Sequence, residues 1–305
     1  MRPKQPRVSI VKSVPRWRGV ALQYRLIALD VDGTLFCGRH RVSPRTLAAL
    51  TVARRRGAIT VIATGRTPHS ALRVSREIGG GPVICCNGAG LLDEEGRLIH
   101  HRSIPTEPLL RVLKLGRQAD LLVHGYTPEG VVLDQPMAHL IRAYAWLRAG
   151  GAALQAAVGV ARLWGANQTR LVPRLTQWAA SPHRPPVLKL TLFGDPARLP
   201  DVADAIRREV PGVEVTSSGP DNLEVTAAGV SKGSGLAALG ERLGIPPEAT
   251  IAFGDSDNDL TMLRYAGLGV AMGNAPPHVK AAADRVAPPC AEDGVACVLE
   301  EVCGG

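Results

Sequence analysis

Five short apolar runs, at residues 26–29, 59–63, 83–86, 251–253 and 269–271, constrain this chain more than any other feature. None carries a charge, so each reads as a strand buried on both faces, which is the habit of parallel sheets. Between the first two, Ser43-Pro44 gives an N-cap and first-turn signal, Leu47, Leu50 and Ala53 recur on one face, and Gly57 stops the helix. Thr67-Pro68 opens a second helix in the same way. Strand, helix, strand, helix, strand predicts an open α/β sheet, a Rossmann-like parallel core.

The pattern changes after Cys86. Leu91-Leu92, a turn over residues 93–96 and Leu98-Ile99 suggest a hairpin. A helix follows over 109–119, with strands near 121–124 and 131–133. A run at 187–193, a helix over 196–210 and short strands at 213–216 and 223–226 continue this α+β pattern, whereas residues 148–186 are poorly patterned and read as helix or loop. At 305 residues, two domains are expected. The division is a core over 25–88 and 229–305 with an α+β domain inserted at 89–228.

Composition narrows the class. The chain is 45% hydrophobic and 21% charged, which excludes a disordered or fibrous protein. The longest uncharged midchain stretch, 149–161, is too short and too rich in Gly and Ala to span lipid. The net charge is +9, but Arg2, Lys4, Arg7, Lys12, Arg16, Arg18 and Arg25 supply most of it, and +2 remains without them. The basicity therefore belongs to an N-terminal extension, residues 1–24, expected to be disordered. Little excess charge remains on the body, which disfavours a nucleic-acid partner. The extension also fails as a secretory signal, because residues 8–11 are too short an apolar region. Six cysteines, at 37, 85, 86, 290, 297 and 303, include no pair with the spacing that grips zinc, so reduced thiols in a cytoplasmic protein are expected.

The chemistry sits at the ends of the runs. Asp30-Val31-Asp32-Gly33-Thr34 follows the first strand, at the carboxyl edge where open α/β sheets bind ligands. A carboxylate attacking a phosphate dianion at about 4 Å meets roughly 8 kcal/mol of repulsion at an effective dielectric of about 20, so cations are required. Gly254-Asp255-Ser256-Asp257-Asn258-Asp259 follows the fourth run and brings more oxygen ligands, a set suited to Mg²⁺. Lys232, inside Gly229-Val230-Ser231-Lys232-Gly233, can offer an ammonium to phosphoryl oxygens, and Thr64-Gly65-Arg66 a hydroxyl and amides. Asp255, Asp257 and Asp259 imitate an EF-hand start, but Leu260 and Ala266 replace the required Gly and Glu. Ser231 stands where a Walker motif needs glycine, so Lys232 is no P-loop lysine.

In combination these motifs closely resemble the haloacid dehalogenase-like superfamily. Thr64-Gly65-Arg66, Asn87-Gly88-Ala89, Gly229 to Gly233, and Gly254-Asp255-x-x-Asn258-Asp259 followed by 267–275 look like its Cof-type branch, subclass IIB, with a C2 cap. The resemblance implies Asp30 as the nucleophile that forms an aspartyl-phosphate and Asp32 as the general acid/base. It implies Mg²⁺ on the Asp30 side chain, the Asp32 carbonyl and Asp255, with Asp259 in support and Asp257 at a variable position. Val31, Thr64, Gly65, Lys232 and Asn258 would hold phosphate. Asn87, at a third strand end facing the insert, either reaches substrate or simply forms an Asn-Gly turn, and Arg66 either reaches substrate or pairs with an acid. Within the insert, His100-His101, Lys189 and Asp221-Asn222 are candidates to face the cleft. The implied function is a Mg²⁺-dependent phosphatase acting on a small phosphorylated metabolite, such as a sugar phosphate. A phosphomutase and a non-catalytic binding or regulatory protein are the rivals.

Overall fold

A computed structural model of the chain describes residues 23–38, 41–134, 169–217 and 219–303. Residues 1–22 of the N-terminal extension and most of the poorly patterned 148–186 region lie outside the described residues, while Tyr24, the last residue of the extension expected to be disordered, is buried in the core of the first sheet. Eight strands form the first sheet: β1 (Leu26–Leu29), β2 (Ile59–Ala63), β3 (Val83–Cys85), β4 (Gly90–Leu92), β5 (Leu98–His101), β12 (Thr250–Gly254), β13 (Leu268–Ala271) and β14 (Arg285–Val286). Their spatial order is β14-β13-β12-β1-β2-β3-β4-β5, parallel from β14 to β3 and antiparallel beyond. The α/β reading of the sequence therefore holds.

The chain leaves β1 toward one edge of this sheet and, returning at β12, builds toward the other. The β1–β12 seam is thus a topological switch point, and loops that leave adjacent strands there diverge to open a crevice at the carboxyl edge. Leu26, Ile27, Ala28 and Leu29 are all fully buried. Truncating Leu29 to alanine would cost about 2–5 kcal/mol, the range for large-to-small changes in cores.

Helices form where their caps predict. Ser43 Oγ accepts from the Thr46 amide ahead of helix Pro44–Arg55, and Thr67 does the same for Ser70 ahead of helix Pro68–Glu77. The hairpin after Cys86 also forms, but it extends the first sheet. The second sheet begins only at β6 (Leu122–Thr127) and adds β7 (Gly130–Asp134), β8 (Arg170–Val172), β9 (Lys189–Phe193), β10 (Val213–Thr216) and β11 (Asn222–Ala227), in the order β10-β11-β9-β6-β7-β8.

This second sheet has two unlike faces. Val123, Leu190, Leu192, Leu223 and Val225 pack with helices Thr106–Gln118, Leu175–Ala180 and Leu199–Glu209 into an apolar core. With a side-chain period of two, the opposite face presents His124, Tyr126, Lys189, Thr191, Glu224 and Thr226. Of these, all but Tyr126 are buried.

The cysteines correct one expectation. Cys85 and Cys86 are buried thiols, as expected of small hydrophobes, but Cys37 and Cys290 are joined in a disulfide, with Cα atoms 5.7 Å apart. They lie 253 residues apart in sequence, so no motif spacing announces the pair. The bridge fastens the loop after Asp32 to the segment after β14. Peptide mapping without reductant should recover a Cys37–Cys290 cross-link, and Cys37→Ser should lower stability by about 2–5 kcal/mol in urea melts. Quantitative recovery of both thiols from fresh protein would refute the bridge.

Candidate active site

Three strand ends meet at the switch point. Asp30 leaves β1, Asp255 leaves β12, and Thr64 leaves β2. Because β1 and β12 pair in register, Leu29 opposite Phe253, the two acidic loops emerge side by side. Close approach needs a glycine at position 33. Its φ is +88°, a conformation costly for side chains, and a Cβ there would collide with the Asp255 carboxylate. Gly88 (φ +102°) plays the same part under Lys232, where a Cβ would strike the Ser231 carbonyl.

Lys232 is the first residue of helix Lys232–Leu243, which is capped by Ser231 and Ser234 in reciprocal hydrogen bonds. Its side chain is 1% exposed, and Nζ donates to Asp30 Oδ1 and Asp259 Oδ1, each at 2.6 Å. Burial works to lower the Lys232 pKa, but Asp259 and Asp30 together outweigh it and hold the amine charged. Burial also dominates at Asp30 and pushes its carboxyl up, with Lys232 opposing and Asp259 adding to the rise.

Asp259 braces the loop. Its Oδ2 accepts from the amides of Asp255 and Ser256 and from the Ser256 hydroxyl, so both oxygens are committed. Asp255 differs. Oδ2 accepts from Asn274 Nδ2 at 3.2 Å, while Oδ1 is buried with no hydrogen-bond partner. Burial, followed by Asp259 and Asp32, pushes this carboxyl up to about 6, against the pull of Lys232 and, more weakly, of the Thr34 hydroxyl. Asp30, Asp255 and Asp259 each place one oxygen within 4.8 Å of the others. An orphaned carboxylate oxygen among hard anionic donors fits a divalent cation with oxygen coordination.

Asp32 points outward, its side chain 62% exposed, and both its oxygens accept from Arg66, from Nε at 2.8 Å and Nη2 at 2.6 Å. Of the two roles open to Arg66, this fork is pairing with an acid. The guanidinium also lies 5.1 Å from the centre of the Phe36 ring. The Val31 amide reaches the Asp30 carboxyl, and Thr64 Oγ1 accepts from the Arg66 amide. Asn258 Nδ2 donates to Asn87 Oδ1 at 3.4 Å, and Asn87 Nδ2 donates to Glu224 Oε2 at 2.6 Å. Asn87 itself sits at φ +58°, a conformation asparagine tolerates better than most residues.

A cleft of about 800 Å³ opens over these groups. Asp30, Asp32, Thr64, Arg66 and Asn258 line one side, and Tyr126, Lys189, Ser217, Pro220 and Glu224 the other. Of the candidates named in the insert, Lys189 lines the cleft; His100 and His101 fall on edge strand β5, and Asp221 and Asn222 are not among the lining residues. Glu224 and Tyr126, which line the cleft, and Asn274, which holds Asp255, are residues to which the sequence assigned no role. The signal available for the first was strand parity, since Asn222, Glu224 and Thr226 alternate with apolar residues.

Lys232→Met should leave Asp30 and Asp259 buried without their counter-charge. The expected loss, read from urea unfolding of metal-free protein near neutral pH, is about 3–5 kcal/mol, the range for breaking a buried ion pair. It should shrink on acidification as Asp30, whose carboxyl burial pushes up, takes up its proton.

Comparison with known proteins agrees with this geometry. Phosphatase YwpJ of Bacillus subtilis is 30% identical over 298 residues, covering 91% of this chain and 99% of its own length. Pyridoxal phosphate phosphatase YbhA of Escherichia coli is 31% identical over 276 residues, covering 86% of this chain and 92% of its own. The solved structure of the HAD subclass IIB sugar phosphatase BT4131 superposes with a TM-score of 0.73 at 26% identity, covering 91% of this chain and 98% of that one. A family model described as haloacid dehalogenase-like hydrolase matches residues 27–299, and with the acid pair, the buried lysine and the second acidic loop at one switch point, the chain belongs to that family.

Proposed function

We propose that this chain is a Mg²⁺-dependent phosphatase that hydrolyses the monoester of a small phosphorylated metabolite through a covalent intermediate on Asp30. One observation carries the reading: Asp30 faces a buried ammonium on one side and, across the β1–β12 seam, an acidic loop whose Asp255 has an oxygen without a partner. A site that only bound anions would gain nothing from a buried nucleophilic carboxylate.

The Asp30 side chain, the Asp32 backbone carbonyl and Asp255 are the residues that would hold Mg²⁺, with Asp259 behind them. When bound, the ion supplies positive charge that offsets repulsion between carboxylate and phosphate. Lys232 supplies a second cation, and the Val31 amide, Thr64, Gly65 and Asn258 orient the phosphoryl oxygens. An Asp30 oxygen bonds to phosphorus while the phosphorus–ester oxygen bond breaks, and Asp32 gives its proton to the departing alkoxide. Asp32 then takes a proton from water as that water's oxygen attacks phosphorus, which frees inorganic phosphate and restores the Asp30 carboxylate. Because Arg66 occupies both Asp32 oxygens, the fork has to release one before each proton transfer.

Residues of the second sheet close the cleft, so this sheet and its helices, roughly residues 103–228, act as a cap that excludes water and selects the leaving group. The names of the similar proteins, a pyridoxal phosphate phosphatase and a sugar phosphatase, support a compact monoester as substrate. A cytoplasmic site of action suits the chemistry, because charged phosphate esters do not cross lipid unaided, whereas the Cys37–Cys290 disulfide is unusual for that compartment.

A panel of phosphorylated metabolites assayed with Mg²⁺ and with EDTA should show phosphate release in the first arm only, and Asp30→Asn should abolish it. Full activity in that variant, with deamidation excluded by mass spectrometry, refutes the mechanism. An isomerised phosphosugar without free phosphate would identify a mutase, and a chain that binds esters without turning any over would be a regulator.

The metal site also predicts a pH effect. The Asp255 carboxyl rises from 3.8 to about 6 on folding, so the folded state holds that proton more tightly than the unfolded. The stability this contributes is complete below pH 4 and is lost as the pH climbs through 6. Mg²⁺ takes the proton's place only once the carboxyl is ionised. The rise in Tm produced by Mg²⁺ should therefore be larger at pH 7.5 than at pH 5, and an increment that does not change with pH would contradict this placement.

A further inference from the structure

The polar face of the second sheet carries an ion pair that the reaction does not use. Lys189 lies opposite Tyr126 on one side and Thr226 on the other, and Glu224, two residues before Thr226, shares its face. Lys189 Nζ and Glu224 Oε1 are 2.7 Å apart, with side chains 2% and 8% exposed. Withdrawing both charges from water costs several kcal/mol per ion, and an apolar pair of similar size would often stabilise a fold as well. Directional hydrogen bonds are what such a pair adds.

Those bonds lead to the phosphate loops. Lys189 Nζ donates to the Gly65 carbonyl at 2.7 Å and sits 4.8 Å from the centre of the Tyr126 ring. Glu224 Oε2 accepts from Asn87 Nδ2 at 2.6 Å, and Asn87 Oδ1 accepts from Asn258 at 3.4 Å. One side of the pair therefore fixes the Thr64-Gly65-Arg66 loop, and the other fixes Asn258 through Asn87. Burial works against the charge on Lys189, but Glu224, with Tyr126 and Cys86 adding to it, holds the amine charged.

We propose that Lys189 and Glu224 are positioning residues: anchored in the second sheet, they hold Gly65 and, through Asn87, Asn258 in the geometry that binds a phosphoryl group, so that phosphate affinity depends on how this sheet is seated on the core. The inference rests on the phosphate-binding role given above to Thr64, Gly65 and Asn258. Coupling of this kind is reciprocal, so phosphate in turn holds the sheet in place.

The test is calorimetric titration of inorganic phosphate, with Mg²⁺ present, into wild type, Lys189→Met, Glu224→Gln and the double variant. Each single variant should bind at least about tenfold more weakly. The double should be no worse than the weaker single, because removing both partners leaves no unpaired charge. With p-nitrophenyl phosphate the same factor should appear mainly in KM, whereas a purely structural role would lower Tm and leave both phosphate affinity and KM in place. Glu224→Gln changes a single atom and carries the test if Lys189→Met does not fold. Variants that bind phosphate within twofold of wild type overturn the positioning role alone. A wild type that binds no phosphate overturns the phosphate-site reading, and this proposal with it.

Discussion

The Lys232 ammonium is the interaction on which the site depends. Two carboxylates at near-total burial, Asp30 and Asp259, lie close together in a poorly screened interior, and the ammonium between them offsets their repulsion. Much of the local architecture serves to deliver that cation: the Ser231–Ser234 cap that starts its helix, the glycine beneath it, and the asparagine turn against which it rests. Asp259 in turn spreads its charge over two amides and a hydroxyl, which shapes the loop that carries Asp255.

The crevice follows from chain order. Parallel strands on either side of β1 send their loops apart, and the acidic loops of β1 and β12 are the ones left facing each other at the gap. The fold thus supplies adjacency, and local sequence supplies chemistry. Above the gap, the alternation of β6, β9 and β11 gives the second sheet one face for its own apolar core and one for the cleft.

Much of this was legible in the sequence, for identifiable reasons. Asp30, Asp32, Asp255 and Asp259 stand out because charge directly follows uncharged buried runs, and the helices starting at Pro44 and Pro68 announce themselves through Ser-Pro and Thr-Pro. Glu224 escaped because a single acid in an alternating strand looks the same whether its face meets water or a partner. Asn274 stood inside the 267–275 motif without a role of its own, and strand β14, at two residues, is shorter than any periodicity can reveal. The hairpin at β4 and β5 was visible, but its membership in the first sheet was not, since pairing partners are settled by tertiary contact. The Cys37–Cys290 bond depends on a loop of 253 residues closing, which local pattern cannot encode.

The β1–β12 seam joins segments more than two hundred residues apart, with the whole second sheet lying between them in sequence. During synthesis the nucleophile therefore leaves the ribosome long before the lysine and the second acidic loop that make it competent. Since the entropic cost of closing a loop grows only with the logarithm of its length, the intervening piece can fold first as a unit and shorten the effective gap. A nascent chain halted before residue 230 holds Asp30, Asp32 and its Arg66 partner but lacks Lys232, Asp255 and Asp259, so chemical competence arrives only after the second sheet has been made.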